Sequence, residues 1–297
     1  VKFYVLDTRD VWHAAIIKSA KARGYSAKRI FRGEEVDAEG VGFIRPHADP
    51  VELKKNQRDY DLMAARLTMV QDETQVRLYE NKSAQFERWS AWMPPTWRFT
   101  DRDAALAFCE SSALYPLVSK ADVGASSVNV RILRDKYQAI AHVASLFGAG
   151  VEVNHCSGKA RSVQKGYALL QKFIPHTVTW RVNAVGTKRA AFRRYCYPDR
   201  SVAQTGNVEP VTTLTPQVES LLDFSNKFLE IADTKWCAID VLQDGDSWRL
   251  LETSLAWPWP SPGKCNDAPF FGTNRRWIEI FDLMMDELEA GTWQKKH

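Results

Sequence analysis

Short apolar runs, separated by polar stretches, organise this chain. Phe3 to Leu6 reads as a buried strand. A helix follows through Lys21, with Ala14, Ala15, Ile16 and Ile17 in its body, Asp10 able to cap it and Gly24 stopping it. Val41 to Ile44 reads as a second strand, closed by Arg45-Pro46. Strand, helix and strand in this order predict a doubly wound α/β domain over residues 1–78. The first turn, Asp7-Thr8-Arg9-Asp10, lacks the G-x-G-x-x-G pattern, so no dinucleotide pocket is expected there.

Residues 51–80 are polar and charged with a loose helical period, and Tyr79–Ser83 then opens a helix expected to run through Trp89. Tandem Pro94-Pro95 breaks it, because proline removes donors and holds the backbone extended. Thr100 reads as the cap of the next helix, with Asp103 at the box position and an end near Ser112. Leu117–Lys120 and Val128–Ile132 predict a hairpin around a small-residue turn. Residues 148–166 read as a mobile loop, and Leu169–Ile174 as a buried strand ended by Pro175. Antiparallel strands are expected over Val178–Val185 and Lys188–Tyr195, followed by a loop carrying Thr205-Gly206-Asn207. Thr215-Pro216 opens an amphipathic helix. Trp236–Val241 and Trp248–Ser254 form a hairpin around Asp244-Gly245. A last helix carries Trp277, Ile280, Phe281, Met284 and Leu288, and Gly291 ends it. No internal repeat is present.

Composition narrows the class. The 297 residues are 45% hydrophobic and 26% charged, which excludes collagen-like, low-complexity and wholly disordered chains. The apolar runs are far shorter than the ~20 residues a membrane helix needs, and the first residues do not form a secretory signal, so no membrane partner and a cytoplasmic location are expected. Five cysteines with no C-x-x-C pair exclude a disulfide framework and a structural zinc site; His155-Cys156 is an isolated pair. The net charge of +4 is spread along the chain and is no nucleic-acid signature by itself. Eleven tryptophans, with Trp89, Trp92 and Trp97 close together and Trp257 near Trp259, suit either core packing or a stacking surface for a base. No H-E-x-x-H and no nucleophilic triad is present.

Three groups carry candidate chemistry. Asp240 and Glu252 lie on strands joined by one turn; they are either two surface acids or a pair converging on one cavity, which would suit Mg²⁺. Gly124, Ala125, Ser126 and Ser127 follow Lys120 and form either a plain polar turn or an anion cradle of backbone N–H groups. Arg181, Arg193 and Arg194 sit on neighbouring strands, and alternation lets only one of Arg193 and Arg194 face a shared cavity.

The order of these signals is informative. Lys82 precedes the P-P-T break, Lys120 precedes a Gly/Ser turn, and L-L-Q-K-F-I, T-W-R-V, A-F-R-R-Y, T-G-N, A-I-D-V and L-L-E-T-S follow in that sequence. This order resembles the ATP-grasp superfamily, most nearly its ribosomal-protein glutamate ligase-like (RimK-like) branch, over about residues 75–290. The resemblance implies an α/β (α+β) chain: the N-terminal domain, then linker helices and a small lobe over 79–175, then a large lobe with the metal site over 176–297. It implies ATP and Mg²⁺ as cofactors, with Lys82, Lys120 and Gly124–Ser127 at the phosphates and the backbone of Lys172, Phe173 and Ile174 reading adenine. It places Asp240, Glu252 and Ser254 at the metal, and Arg181, Arg193 or Arg194, and Asn207 at the acyl phosphate or substrate carboxylate.

The implied activity joins a carboxylate, small or peptidic, to an amine through an acyl phosphate, releasing ADP and phosphate. Three departures from the family pattern stand out. Ser254 replaces the usual Asn of E-x-N, Lys172 replaces the usual hinge acid, and residues 175–180 hold no acid for the ribose. A kinase on the same fold, or a non-catalytic nucleotide- or nucleic-acid-binding protein, is the alternative. The Trp257–Pro260 segment could wall the acceptor site or serve as a rigid linker.

Overall fold

The computed structural model describes residues 1–8, 12–124, 129–154, 161–196, 203–255 and 265–293. The chain opens with β1 (Lys2–Leu6), α1 (Trp12–Ala22), β2 (Ser26–Ile30), β3 (Gly40–Phe43), α2 (Pro50–Ala64) and β4 (Leu67–Met69). These four strands form a parallel sheet in the order β2-β1-β3-β4. The two central strands are those the apolar runs predict. The two at the edges, β2 and β4, were not legible: Ser-Ala-Lys-Arg-Ile and Leu-Thr-Met carry too few apolar residues, as edge strands can. Asp10, the expected cap of α1, lies outside the described residues.

Two short helices, α3 (Glu73–Leu78) and α4 (Lys82–Trp89), lead to β5 (Thr96–Phe99), α5 (Arg102–Ser111), β6 (Leu117–Lys120), β7 (Val130–Leu133), α6 (Lys136–Phe147), β8 (Val151–Asn154), β9 (Arg161–Gln164) and β10 (Ala168–Lys172). Strands β5, β10, β6 and β7 make an antiparallel sheet in that order. The cap of α5 is Asp101 and not Thr100: its Oδ1 accepts from Ala104 N at 2.8 Å. The expected loop over 148–166 is also corrected. Its described parts pair as a hairpin, Val151 with Gln164 through Asn154 with Arg161, and the side chain of Asn129 bonds both N and O of Asn154 at 3.0 and 2.7 Å.

The remaining elements are β11 (Val178–Val185), β12 (Lys188–Cys196), β13 (Ala203–Pro210), α7 (Pro216–Ile231), β14 (Trp236–Asp244), β15 (Ser247–Ser254) and α8 (Ile280–Glu289). The five strands form an antiparallel sheet, β13-β12-β11-β14-β15. The expected loop around Thr205-Gly206-Asn207 is instead the edge strand β13.

Alternation divides this sheet into two faces. Trp180, Val182 and Ala184 of β11 and Cys237, Ile239 and Val241 of β14 pack against Val218, Leu221, Phe228 and Leu229 of α7. The opposite face sends Val185, Ala190, Phe192, Trp236 and Ala238 into a core shared with the first sheet, α1 and α8. Trp12, Phe43, Trp236 and Phe281 interlock there, Phe43 standing edge-on to Trp236 at 5.2 Å and 88°. The tryptophans near the middle of the chain pack inward as well: Trp89 on Phe228 at 5.2 Å, Trp92 on Phe224 at 5.3 Å, Trp97 on Phe108 at 4.8 Å. All three rings pack against core aromatics, Trp89 buried and Trp92 and Trp97 half-buried. Among the described residues no helix is long and apolar enough to cross a membrane.

Asp72 caps α3 through Gln75 N at 2.8 Å, and its other oxygen is buried beside Thr234. Burial pushes its carboxyl up to about 6. Between pH 4 and 6 the folded chain therefore holds a proton that the unfolded chain has released, and stability falls as pH rises through that window. Asp72→Asn keeps the cap and removes the charge. It should gain about 1–3 kcal/mol on the parent between pH 4.5 and 7.5 in urea unfolding, at about 1.4 kcal/mol per pKa unit. An equal loss at both pH values would show that the buried charge costs nothing.

Candidate functional site

An open cleft lies between the small and large antiparallel sheets. Val118, Lys120 and Val130 line it from β6 and β7; Thr179, Arg194, Asp240, Leu242, Leu251 and Glu252 line it from the large sheet. Lys82 reaches in from α4, and Lys172, Phe173 and Ile174 close the end where β10 leaves the small sheet.

On the large sheet the charged residues share one face. Asp240 is paired with Arg181 across β11 and with Glu252 across β15. Arg181 grips Asp240 with both arms, Nε to Oδ1 at 2.6 Å and Nη2 to Oδ2 at 2.7 Å, and Arg194 Nη1 adds a third bond to Oδ2 at 2.7 Å. Burial works against the charge on Asp240, yet the two guanidinium groups hold its carboxyl well below the usual carboxylate range. Arg193 is on the opposite face. Its guanidinium lies 4.9 Å over the Trp180 ring and 3.5 Å from Glu209, so the structure places Arg194, and not Arg193, in the cleft. Arg181 is held by Asp240 through Nε and Nη2 and does not line the cleft.

A bulge decides where Glu252 points. Asp244 pairs with Ser247 around Gly245, whose φ of +60° is open to glycine, and the register runs evenly to Val241 with Leu250. The next pair is Asp240 with Glu252, so Leu251 is the extra residue. A regular hairpin would place Leu251 opposite Asp240 and turn Glu252 to the back with Trp248 and Leu250. The extra residue restores Glu252 to the front, as bulges beside functional sites do.

The small sheet supplies the facing cation. Val118 and Lys120 point into the cleft, while Ser119 between them turns away and bonds His142 at 2.8 Å. Burial pushes the Lys120 ammonium down to about 8, with Glu252 pulling it back up. Lys82 Nζ lies 3.3 Å from Glu252 Oε2 and donates to Gly124 O at 3.1 Å. Burial opposes its charge, but Glu252, Glu80 and Asp122 outweigh burial and raise its pKa. Gly124 begins the expected cradle. Its φ of +118° and a position where a Cβ would meet Asn129 Nδ2 at 2.3 Å both require glycine. Its N–H donates to Glu80 at 2.7 Å. Ala125, Ser126 and Ser127, like His155-Cys156 and Trp257–Pro260, lie outside the described residues.

The expected adenine-reading segment is partly committed. Lys172 N donates to Pro95 O at 2.8 Å and Phe173 N to Pro116 O at 3.3 Å; the Ile174 amide has no partner among the described residues. Asn207 stands in β13, and its side chain is outside the description. Ser254 follows Glu252 by two residues and is paired with Ala238.

The donor set suits a hard divalent cation. Arginines take three lone-pair positions of Asp240, and Glu252 lies within hydrogen-bond reach beside it. Glu252 stands opposite with Lys82 on one oxygen. Among the described residues no cluster of three His, Cys, Asp or Glu exists. Two carboxylates completed by water and phosphate oxygens is a magnesium arrangement.

Sequence reasoning missed Val118, Thr179 and Leu242, although each lies two residues from Lys120, Arg181 or Asp240 and period-two alternation would have found it. It also missed His176, whose Nδ1 lies 2.6 Å from Ile174 O, and Leu251, which no periodicity signals because the bulge breaks it.

No family model matches the sequence, and no curated protein matches it. Solved structures do. A RimK-domain ATP-grasp protein from Sphaerobacter thermophilus aligns over 97% of this chain and 100% of its own, with TM-score 0.57 and 17% identity. The ATP-grasp ligase PsnB, solved with a minimal precursor, Mg and ADP, aligns over 98% of each chain, with TM-score 0.59 and 14% identity. D-alanine–D-alanine ligase from Bacillus anthracis covers 97% of each, with TM-score 0.61 and 11% identity. At such identities the likeness is one of architecture, and it extends over nearly the whole chain: this protein has the ATP-grasp fold.

Proposed function

We propose that this chain is an ATP- and Mg²⁺-dependent ligase that joins a carboxylate to an amine and releases ADP and phosphate. The observation that carries the reading is the cleft itself. Asp240 and Glu252 face it from one sheet, Lys120 faces it from the other, and Lys82 reaches in beside Glu252. Apolar walls from both sheets, Val118 and Val130 against Leu242 and Leu251, suit a base, and the Ile174 amide offers one free donor beside them. The solved ligase with Mg and ADP, and the ligase of D-alanine, lend support through the shared fold.

The chemistry has two steps. A substrate carboxylate oxygen attacks the γ-phosphorus of ATP, the bond to the β,γ-bridging oxygen breaks, and ADP leaves with the electron pair. The amine nitrogen then attacks the acyl carbon and loses a proton, and phosphate departs. Bound Mg²⁺, held by Asp240 and Glu252, would offset charge on the phosphate oxygens. Lys82 and Lys120 neutralise the same phosphates from the other side, and Arg194, at the edge of the cleft, steadies the transferred group. Arg181 acts through Asp240 by fixing that carboxylate.

Asp240→Asn and Glu252→Gln should each lower ADP release by more than about 100-fold, about 2.7 kcal/mol at the transition state, while circular dichroism shows the fold kept. In thermal unfolding, MgATP at about 100 times its dissociation constant should stabilise the parent by about 2.7 kcal/mol and leave both variants unmoved. Ordinary stabilisation of both variants would remove them from the metal site.

The two neighbouring arginines give a sharper contrast. Arg193→Ala loses an exposed ion pair and a ring contact, about 1 kcal/mol of stability, and should keep nucleotide binding and turnover. Arg194→Ala should lose turnover. Equal defects in steady-state assays would contradict the facing that alternation gives them.

A further inference from the structure

We propose that Gln85 is a positioning residue: its side-chain amide holds the bulged register of β15 and thereby the spacing between Lys82 and Glu252. This rests on reading the cleft as a Mg–nucleotide site.

Strand β15 is the edge of the large sheet, so the N–H and C=O of alternate residues point away from β14. At Thr253 both outward groups meet one side chain. Gln85 Oε1 accepts from Thr253 N at 2.8 Å, and Gln85 Nε2 donates to Thr253 O at 3.1 Å. Nε2 also donates to Leu78 O at 2.9 Å, tying in the end of α3. Gln85 is 2% exposed, so water cannot replace these bonds cheaply. Thr253 follows Glu252 directly and lies two residues past the bulged Leu251. The amide thus grips β15 just beyond the point where its alternation reverses.

Gln85 is also three residues after Lys82 on α4, on the same side of the helix. One rigid turn therefore joins the lysine to the clamp, and the clamp to the strand bearing Glu252. The Lys82 Nζ to Glu252 Oε2 distance of 3.3 Å is fixed through that path. A carboxamide is required because it presents a donor and an acceptor side by side; an ionised Glu accepts only, and Met has no donor and only a weak acceptor.

The test measures ADP affinity by calorimetry with and without Mg²⁺, on variants whose folding is checked by circular dichroism. Parent protein should bind ADP more tightly with Mg²⁺. Gln85→Met should lose about tenfold of that strengthening while its Mg²⁺-free affinity changes by less than about threefold. Gln85→Glu keeps the bond from Thr253 N–H and serves if the Met variant does not fold; it should lose about threefold or more. A folded variant with full Mg²⁺ strengthening, or one whose affinities with and without Mg²⁺ fall equally, overturns the positioning role. A parent protein that shows no Mg²⁺ effect on ADP overturns the Mg–nucleotide reading itself, a separate result.

Discussion

A carboxylate buried within a five-stranded sheet must be compensated, and the arrangement of the large sheet follows from how Asp240 is. Arg181 from the adjacent strand β11 and Arg194 from β12, one strand further out, supply three short bonds to it. Such a buried cluster is weak as a source of stability, because the cost of taking ions out of water offsets much of their attraction. Its effect is geometric. It requires Arg181 beside Asp240 and Arg194 within reach, a condition that the observed register of β12, β11 and β14 meets. The register that satisfies the charge also presents Glu252 at the next strand, provided β15 carries its extra residue.

The sheet face that bears these charges changes character along its length. Trp236 and Ala238 of β14 are packed under the first domain's core, Asp240 stands at the cleft, and Leu242 returns to an apolar wall. Each is two residues from the next, so one strand face serves in turn as domain interface, charged centre and apolar pocket. Phe43, Trp12 and Phe281 bury the near end of that face and keep water from it. The charged centre is thereby held between two apolar regions, where its electrostatic interactions are stronger than in open solvent.

Much of this was legible in the sequence, and the failures share a cause. Strands with dense apolar content, such as Trp236–Val241 and Val178–Val185, announce themselves, and so does the α7 start at Thr215-Pro216. The polar edge strands do not: β2, β4, β9 and β13 carry few apolar residues, and three of those segments read as loops or as nothing, whereas the more apolar edge strands β7 and β15 were read. The order of Lys82, Lys120, Asp240 and Glu252 pointed to one cleft, and all four line it. Alternation allowed one of Arg193 and Arg194 and could not choose, since the choice depends on the absolute face of β12, which is set by Ala190 and Phe192 meeting the first domain's core. The bulge at Leu251 and the clamp by Gln85 were invisible because both are long-range: one is a count of residues between two strands, the other a contact across 168 positions.

The three departures from the family pattern have a physical counterpart in this geometry. Where the pattern has an amide at the end of the metal strand, this chain has Ser254 in register with Ala238, on the face that leads under the first domain. A hydroxyl is shorter than an amide side chain and reaches less far toward the cleft. Where the hinge usually carries an acid, Lys172 lines the cleft instead, and its own N–H is spent on Pro95. In place of an acid beyond the hinge stands His176, held by its Nδ1 contact with Ile174 O and by the Phe173 ring at 5.9 Å. On the proposed reading, the end of the cleft that would take a base thus holds a lysine and an imidazole where the family pattern has carboxylates, while Lys82, Lys120, Asp240 and Glu252 keep the pattern's charges at the other end. If the cleft takes a nucleotide as proposed, differences in what this chain accepts are therefore expected at its base and acceptor ends rather than at those four residues.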